Sequence, residues 1–411
     1  MLYTEELHNF DKFISDWNLE TEYVLFGASK ECIQFIRSID YLMGDNVLKI
    51  KYIVDHDIKN TETINNINEI SSAYHQSKDI KTNRKDLKLI HIDDFEFDEN
   101  TQVIITTDVF KQKYKSFLEE KNIKWIWYKH IVSIWPYKHK NKVHIYQTDV
   151  LVTEKCTLNC SHCNMFMPHF EAPIHRELDT IISDIDSFFS IVDYVSVFHL
   201  VGGEPFLYPN IEGVVRHIVD NYIDRIDKLI ITTNGTILPK QSMIDVLKSN
   251  PIILSVSDYT DKLENIKKKV VKVLDAYKEN NVNHYVRTEI EWYDFGDLRV
   301  KGNRTTDELI NHFDSCTAPF RGLNDGKFYY CHLNTSAVRT KLFPLNENDY
   351  LDIHTISKEQ LLKFDLGYTD LGYITFCDNC NGCNTGIKVP VSYEKQGLRD
   401  FPIEHKRKSL I

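Results

Sequence analysis

The sequence predicts an α/β protein in which strands and helices alternate along most of the chain. Short runs of apolar and β-branched residues recur between amphipathic segments of helical periodicity, which is typical of parallel sheets. The 411 residues are enough for two or three domains with their own cores. Aromatic residues are plentiful, whereas glycine and proline are few, and this composition argues against disorder.

The first part of the chain, residues 1–135, shows this alternation in short units. An amphipathic helix is predicted near residues 1–20, and a second helical pattern covers Cys32–Leu42. The order of elements resembles a small Rossmann-like domain. The other predicted elements are strands at Glu22–Gly27, Leu48–Asp55, Leu87–Ile92, Val103–Thr107 and Lys124–Tyr128, and a helix near Lys111–Lys121.

Two residues of this domain stand where a nucleotide-binding fold would use them. Gly27 opens a strand-to-helix turn at which an anion could bind, and Asp55 ends the second strand, where a ribose-binding carboxylate would lie. The glycine fingerprint is incomplete, because the segment reads Gly27-Ala-Ser-Lys-Glu-Cys32. Packing, or binding part of a substrate, is therefore favoured over dinucleotide binding. The polar and basic segment Trp135–Lys142 is interpreted as a solvated linker.

Residues 143–300 continue the alternation with longer units. A β-branched run at Val143–Thr153 predicts the first strand, and repeated helix–strand units follow over about 150 residues. A complete eight-unit barrel needs about 250 residues, so a partial (β/α)6 barrel is predicted, with its active site at the C-terminal strand ends. The helices are predicted at Leu178–Val192, Ile211–Tyr222, Gln241–Ser249 and Leu263–Asn280, and the strands at Tyr194–Val201, Lys228–Thr233, Pro251–Val256 and His284–Glu289.

The first of these strands leads into three closely spaced cysteines, Cys156, Cys160 and Cys163. Thiolates hold iron–sulfur clusters, and three of them leave one iron open for another ligand. A mononuclear zinc site would need a fourth nearby ligand and usually shows paired C-x-x-C halves. Three unrelated buried thiols are the alternative, which such clustering disfavours.

A second motif, Gly202-Gly203-Glu204-Pro205, follows an apolar strand about forty residues later. Two glycines there permit close backbone approach to a ligand. The combination of C-x3-C-x2-C with this segment resembles the radical SAM superfamily. The resemblance implies a [4Fe–4S] cluster on the three cysteines and S-adenosylmethionine as second cofactor, its methionine amino group in contact with the Gly-Gly-Glu-Pro segment.

Other residues are candidates through the same resemblance. Asn234 and Ser257 follow strand ends where relatives contact the adenosyl ribose and carboxylate, and His162 lies where relatives place a ring near the adenine. Turn chemistry is the alternative for Asn234, since Asn-Gly is a strong turn signal. Arg287 could hold a carboxylate or phosphate, or form a surface salt bridge. His199 is interpreted as a hydrogen-bonded core histidine.

The last part, residues 301–411, contains five further cysteines and predicts a small cysteine-rich α+β domain. Asp325-Gly326 predicts a hairpin turn that brings two of these cysteines together. The order Cys, hairpin, Cys, helix (Lys358–Phe364), C-x2-C resembles the twitch or shortened SPASM domain. That resemblance implies an auxiliary [4Fe–4S] cluster, with zinc on four thiolates as the alternative. The predicted ligands are Cys316, Cys331, Cys377 and Cys380, and Cys383 competes with Cys377.

Composition excludes several classes of function. A net charge of −11 argues against nucleic-acid binding. No apolar run approaches the roughly 20 residues needed to span a bilayer, and the N-terminus does not resemble a signal peptide. Nine cysteines, eight of them after position 155, fit metal binding in a reducing cytoplasm better than a disulfide framework.

The resemblance implies an enzyme that cleaves S-adenosylmethionine to a 5′-deoxyadenosyl radical, with flavodoxin or ferredoxin as electron donor. The segments Cys160–Pro168 and His199–Pro209 are similar to radical SAM proteins of bacterial surface-polysaccharide and sugar biosynthesis, and to aminocyclitol dehydrogenases. The predicted reaction is oxidation or epimerisation of a carbinol carbon in a sugar or nucleotide-sugar. Peptide or protein maturation is the alternative enzymatic function, and a non-catalytic iron–sulfur carrier is a third possibility.

Overall fold

The chain forms two compact units, residues 1–145 and residues 146–411. The computed structural model describes residues 10–44, 47–58, 87–98, 100–107, 110–160, 162–261, 263–288, 291–316, 320–383 and 388–390. Among these residues, no helix combines the length and apolar character that a bilayer crossing requires.

The first unit is built on one five-stranded parallel sheet. Its elements are α1 (Phe10–Asp16), β1 (Glu22–Phe26), α2 (Lys30–Met43), β2 (Lys49–Asp55), β3 (Leu89–His91), β4 (Gln102–Ile105), α3 (Lys111–Glu120), β5 (Lys124–Trp127) and α4 (Tyr128–Lys140). The strand order is β3-β2-β1-β4-β5, and every neighbouring pair is parallel. The predicted alternation of strands and helices is confirmed. Residues 1–9 of the predicted N-terminal helix lie outside the described residues.

The predicted linker at residues 135–142 is wrong, because α4 continues through most of it. Trp135 is fully buried, and its indole N–H donates a hydrogen bond to the carbonyl oxygen of Trp17 at 2.7 Å. Pro136 lies inside the helix, where it removes a backbone donor. The basic residues that suggested a linker occupy the last turn, where positive charge complements the helix dipole. Asn141 ends the helix in the left-handed conformation.

Asp55 and the turn after β1 use their polar groups within the protein. One carboxylate oxygen of Asp55 accepts a hydrogen bond from the backbone N–H of Ala28 at 2.7 Å, and the other accepts from that of Asp57 at 3.0 Å. Gly27 has a φ of +107°, and a Cβ there would lie 2.7 Å from a methyl carbon of Thr107. Both residues that suggested a nucleotide site therefore shape the turn itself.

The second unit is built on an eight-stranded mixed sheet. Its elements are β6 (His144–Thr153), α5 (Leu178–Ile191), β7 (Tyr194–Gly202), α6 (Ile211–Tyr222), β8 (Ile226–Thr233), α7 (Gln241–Ser249), β9 (Ile252–Asp258), α8 (Lys267–Glu279), β10 (His284–Thr288), β11 (Glu291–Tyr293), α9 (Thr306–Ser315), β12 (Arg321–Asn324), β13 (Lys327–Tyr329), α10 (His332–Arg339), β14 (Tyr350–Asp352), α11 (Lys358–Asp365) and β15 (Lys388–Pro390). The strand order is β10-β9-β8-β7-β6-β12-β13-β14, while β11 and β15 form a separate pair. The predicted α/β class with parallel strands is confirmed.

Residues 143–300 contribute five strands to this sheet rather than the six of the predicted barrel. The sixth parallel strand is β12, which comes from the C-terminal part of the chain and pairs with the free side of β6. The pairs β7–β8, β8–β9 and β9–β10 are parallel, whereas β13 and β14 continue the sheet antiparallel. The C-terminal hairpin is therefore part of the main sheet and does not form a sheet of its own.

The predicted hairpin turn between β12 and β13 is confirmed. Asp325 and Gly326 have φ values of +51° and +73°, the left-handed pair that a two-residue I′ turn requires. Charged side chains anchor this turn, because Gly326 donates its N–H to Asp184 at 2.7 Å and Arg176 bonds both Asp184 and Asp325. Arg339 of α10 adds an ion pair to Asp325. The hairpin is thus fixed to α5 by a partly buried charge network.

We expect Gly326→Ala to lower the free energy of unfolding by about 1–2 kcal/mol, because an L-residue is strained at this φ. The added Cβ would also lie 2.9 Å from Nε2 of His354. Gly213→Ala in α6 is the matched control, since its Cβ meets Leu178 at an ordinary 3.6 Å. The control is expected to gain about 0.5–1 kcal/mol. Urea unfolding measures both, and a Gly326→Ala protein as stable as wild type would contradict this reading of the turn.

Candidate active site

The three cysteines of the first motif lie on one loop at the C-terminal end of β6. Cys160 is buried, whereas Cys156 and Cys163 are half-buried. The loop is tightly turned, because Cys163 donates its N–H to the carbonyl of Cys160 at 3.2 Å and Leu158 donates to Cys156 Sγ at 3.4 Å. All three cysteines pack against one apolar group formed by Leu158, Leu263, Ile266 and Val270. Three sulfurs on one short loop beside an apolar wall fit a thiolate-bound iron–sulfur cluster.

The two glycines that end β7 lie directly against this loop. A Cβ on Gly202 would lie 2.6 Å from the carbonyl oxygen of Thr153, and one on Gly203 would lie 2.2 Å from that of Lys155. The backbone N–H of Gly203 donates to Thr153 at 2.9 Å, and that of Glu204 donates to Lys155 at 2.8 Å. The close backbone approach expected for a ligand is therefore already explained by the cysteine loop, which rests on these glycines.

Glu204 is completely buried, and its carboxylate is occupied within the protein. One oxygen accepts hydrogen bonds from Phe206 N–H at 3.1 Å and from the Thr233 hydroxyl at 2.8 Å, and the other accepts from Asn234 N–H at 2.8 Å. Burial raises the pKa of Glu204 to about 7, although these three hydrogen bonds oppose the shift. The carboxylate is therefore used within the fold, and a contact between Glu204 and a cofactor stays a prediction.

Asn234 connects the end of β8 to the cysteine loop. Its amide oxygen accepts from the N–H and the hydroxyl of Thr236 at 3.0 and 2.6 Å. Its amide nitrogen donates to the hydroxyl of Thr157 at 3.0 Å and lies 3.6 Å from Cys156 Sγ. These contacts show the turn chemistry expected of Asn-Gly together with a link to the loop. His162, in the same loop, is exposed.

Ser257 and Arg287 lie opposite each other on β9 and β10, where they are neighbours in register. The guanidinium of Arg287 donates to the Ser257 hydroxyl at 3.2 Å, and Ser257 is buried. The structure thus joins two sequence candidates on adjacent strands. Their roles toward a cofactor remain predictions.

A polar row that the sequence reasoning missed crosses the neighbouring strands. His199 on β7 is bonded through Nδ1 to Asp149 on β6 at 3.3 Å and through Nε2 to the hydroxyl of Thr232 on β8 at 2.7 Å. Gln147 donates to the same Asp149 oxygen at 2.8 Å. The available signal was an aspartate in the strand that leads into the cysteine loop, since a charged side chain in a buried strand is rare without a partner.

All five C-terminal cysteines line one pocket. Cys316 follows α9, Cys331 immediately precedes α10, and the other three lie after α11. Burial raises the pKa of Cys380 to about 12 and, with neighbouring thiols contributing, also raises the pKa of Cys331 and of Cys377. The pocket is lined by His312, Phe313, Cys316, Tyr330, Cys331, Leu333, Ile374, Phe376, Cys377, Cys380, Gly382 and Cys383.

These thiols surround a space instead of converging on one point. In the part of the chain that the structure describes, no three Cys, His, Asp or Glu side chains are arranged to hold a single metal ion. Tetrahedral zinc needs its sulfurs about 2.3 Å from one centre, whereas a cluster spreads its thiolates over several irons. The donor set and the apolar lining fit an iron–sulfur cluster, whose positive irons would stabilise thiolates in this buried place.

Comparison with known proteins identifies the central segment. Residues 150–290 match the radical SAM superfamily model, so the chain contains a radical SAM domain. A GTP 3′,8-cyclase of Pelotomaculum thermopropionicum is 30% identical over 98 residues, covering 23% of this chain and 28% of the cyclase. A GTP 3′,8-cyclase of Rhizobium etli is 34% identical over 97 residues, covering 23% of this chain and 26% of that protein. This chain thus matches about a quarter of each cyclase.

One solved structure matches about three-fifths of this chain. Native anSMEcpe with bound AdoMet and a Kp18Cys peptide is 15% identical, with coverage of 61% of this chain and 93% of that chain and a TM-score of 0.40. The cofactors of a radical SAM domain are a [4Fe–4S] cluster and S-adenosylmethionine, which confirms the cofactors expected for the central segment. Family membership does not assign an individual ligand in this chain.

The buried carboxylate of Glu204 predicts a pH effect on stability. Its pKa is about 7 in the folded protein against an ordinary value of 4.5, so the folded state holds the proton more tightly than the unfolded state. The stability contributed by the protonated group is present below pH 4.5 and is lost as pH rises through 7. We therefore expect the free energy of unfolding of wild type, relative to that of Glu204→Gln, to be lower at pH 8 than at pH 5.

Urea unfolding of both proteins at the two pH values measures this difference. Glu279→Gln, at the exposed end of α8, is the matched control for the same chemical change at the surface. A wild-type advantage that stays constant or grows with pH, after subtraction of the control, would contradict the raised pKa.

Proposed function

We propose that this protein is a radical SAM enzyme that abstracts a hydrogen atom from a sugar, nucleotide-sugar or related alcohol and thereby oxidises or epimerises its carbinol carbon. The observation that carries this substrate class is the polar row of Asp149, His199 and Thr232 in a radical SAM domain. Ser255, opposite Thr232 in the sheet, adds a buried hydroxyl without a hydrogen-bond partner among the described residues. Such groups suit a substrate with several hydroxyls.

The residues around the cysteine loop have distinct proposed roles. Cys156, Cys160 and Cys163 would hold the [4Fe–4S] cluster, and the backbone of Gly203 and Glu204 would face the methionine part of S-adenosylmethionine. Bound there, the cluster and S-adenosylmethionine supply the hydrogen-abstracting radical. His162, Asn234 and Ser257 remain proposed contacts of S-adenosylmethionine, with Gly202 supporting the loop. The chain itself supplies binding, orientation and exclusion of water.

The C-terminal thiol pocket is proposed to hold an auxiliary [4Fe–4S] cluster in a twitch-like segment, residues 301–411. The proposed ligands are Cys316, Cys331, Cys377 and Cys380. Cys383 lies in the same pocket and interacts with Cys316, so it stays the competitor for one place. A second cluster there would accept the electron that the substrate radical loses when the carbinol carbon is oxidised.

Peptide modification is a second candidate, and one observation favours it. Among the described strands, β10 is the edge of the main sheet, and its Tyr285 and Val286 are exposed. An open edge strand can pair with an extended peptide. The polar row across β6, β7 and β8 is better explained by a hydroxylated small molecule, so the sugar substrate is preferred.

Iron content tests the two clusters. We expect anaerobically reconstituted wild-type protein to bind about eight Fe and about eight sulfide per chain, since each [4Fe–4S] cluster takes its own thiolates. The triple variant Cys156→Ala, Cys160→Ala, Cys163→Ala should retain about four. Cys377→Ser should also fall to about four, while Cys383→Ser stays near eight.

Cys32→Ser is the control for loss of a thiol, because Cys32 is buried in α2 of the first unit. About four Fe with bound zinc in wild type would overturn the auxiliary cluster. If Cys377→Ser keeps about eight Fe and Cys383→Ser loses iron, then Cys383 replaces Cys377 as the assigned ligand. The proposed auxiliary cluster would still stand.

The substrate class is tested with reconstituted protein, dithionite, S-adenosylmethionine and nucleotide-sugars deuterated at their carbinol carbons, namely UDP-glucose, UDP-galactose, UDP-N-acetylglucosamine and GDP-mannose. We expect at least one of them to raise 5′-deoxyadenosine formation and to transfer deuterium into it, as measured by mass spectrometry. The triple cysteine variant is the blank. Formation of 5′-deoxyadenosine with no deuterium from any of these sugars would overturn the proposed substrate class.

A further inference from the structure

Thr232, His199 and Asp149 form a chain of hydroxyl, imidazole and carboxylate on three neighbouring strands. The Thr232 hydroxyl lies 2.7 Å from His199 Nε2, and His199 Nδ1 lies 3.3 Å from Asp149 Oδ1. Asp149 accepts at this oxygen, so His199 carries its proton on Nδ1 and receives the Thr232 hydroxyl proton at Nε2. This is the order of groups that activates a hydroxyl for proton transfer.

Asp149 is a buried carboxylate, and its side chain is only 6% exposed. Burial raises its pKa, but His199, His332 and the hydrogen bond from Gln147 together outweigh burial and keep the pKa below its ordinary value. His332, the first residue of α10, also lies close enough to interact electrostatically with Asp149. Its neighbour Cys331 is a proposed ligand of the auxiliary cluster. The carboxylate therefore connects the polar row with the element that carries this ligand.

Of the three hydrogen-bonded side chains, Asp149 is the most buried, so the accessible end of the series is Thr232. His199 is 17% exposed and Thr232 is half-buried, so both are more open than Asp149. Ser255 lies opposite Thr232 in register, and its buried hydroxyl has no hydrogen-bond partner in the described part of the chain. A substrate alcohol at this end would meet the Thr232 hydroxyl as its proton acceptor, while the Ser255 hydroxyl stays buried on the neighbouring strand.

Resting on the proposed function, we infer that Thr232, His199 and Asp149 form the relay that takes up the hydroxyl proton when the carbinol carbon is oxidised. Loss of a hydrogen atom from that carbon leaves a substrate radical. Its O–H proton passes to Thr232 Oγ1 while the Thr232 proton passes to His199 Nε2. The carbon–oxygen bond becomes a carbonyl, and the remaining electron would be accepted by the auxiliary iron–sulfur cluster that Cys316, Cys331, Cys377 and Cys380 are proposed to hold.

Each member of the relay has a separate task. Thr232 touches the substrate, and His199 holds the transferred proton as an imidazolium. Asp149 is a positioning residue that fixes the ring orientation and stabilises the imidazolium charge. Epimerisation returns a hydrogen atom to the carbon and releases neither proton nor electron, so it has no use for this relay. The inference therefore selects oxidation between the two reactions left open by the proposed function.

The relay is tested with whichever deuterated nucleotide-sugar of the panel above transfers deuterium. The quantity measured is the ratio of carbonyl product to 5′-deoxyadenosine. We expect a ratio near one in wild type. In His199→Gln and Thr232→Val, deuterium transfer should continue while the ratio falls about 100-fold, the usual scale of general base catalysis. Asp149→Asn should lower kcat for the carbonyl with little change in KM. His139→Gln, at the exposed end of α4, is the control.

A second readout is independent of turnover. Long-range ¹H–¹⁵N spectra of protein labelled with ¹⁵N-histidine report the His199 tautomer, assigned by loss of its signals in His199→Gln. We expect protonated Nδ1 in wild type and a changed tautomer or shift in Asp149→Asn, with the His139 signals unmoved. A wild-type His199 protonated on Nε2 instead would overturn the relay.

The outcomes separate this inference from the proposed function. Deuterium transfer that yields only an epimer would overturn the relay and leave the proposed function standing. Oxidation with an unchanged ratio in His199→Gln would also overturn the relay alone, and so would loss of deuterium transfer together with product, which indicates a binding or folding role. No deuterium transfer from any sugar in wild type would overturn both.

Discussion

The second unit depends on the buried carboxylate of Glu204. Its three hydrogen bonds join the turn after β7 to the end of β8, while its own backbone N–H is bonded to the loop that carries the cysteines. Burying a carboxylate is costly unless its hydrogen bonds are made, so this point of the fold admits few alternative arrangements. Gly202 and Gly203 have no room for a side chain, because a Cβ at either position would overlap the backbone carbonyl of Thr153 or Lys155. Loop, strand ends and carboxylate thus form one rigid support.

The helix α10 links the C-terminal thiol pocket to the polar row and to the cysteine loop. Cys331 precedes the helix, His332 begins it beside Asp149, and Arg339 ends it in an ion pair with Glu154, two residues before Cys156. One helix of eight residues therefore borders the thiol pocket, the polar row and the entrance to the cysteine loop. The pair of half-buried Arg339 and buried Glu154 fixes its far end, because breaking such a pair leaves Glu154 as an uncompensated buried charge.

Much of this organisation could be predicted from local patterns. Apolar periodicity identified α5, α6, α7 and the strands between them, and cysteine spacing identified both thiol groups. The hairpin turn followed from Asp325-Gly326, since few other dipeptides accept two left-handed residues. These features depend on neighbours in the chain, and such neighbours are visible in a sequence.

What the sequence could not reveal depends on distant contacts. The pairing of β12 with β6 leaves no local signature, so the sixth parallel strand was sought in the wrong part of the chain. Trp135 looked like part of a linker because its packing against the α1 region and its bond to Trp17 are tertiary. The prediction that His199 is hydrogen-bonded is confirmed, but its partners Asp149 and Thr232 could not be named from the sequence because they lie on other strands. The contacts of the glycines and Glu204 with the cysteine loop and the end of β8 are tertiary as well, so the sequence could not show them beside the cofactor role that it suggested.

The insertion of β12 beside β6 also determines when this molecule can mature during synthesis. Arg321 pairs with Thr148, about 170 residues earlier, so one side of β6 stays exposed until the ribosome has released nearly four-fifths of the chain. Closing so long a loop costs little more than closing a shorter one, but it slows the search for the correct partner. An unpaired, largely apolar strand is a surface to which chaperones and other nascent chains bind. The two cysteines that flank this late strand, Cys316 and Cys331, therefore reach their final places only at the end of biogenesis, after the polypeptide has closed around β6.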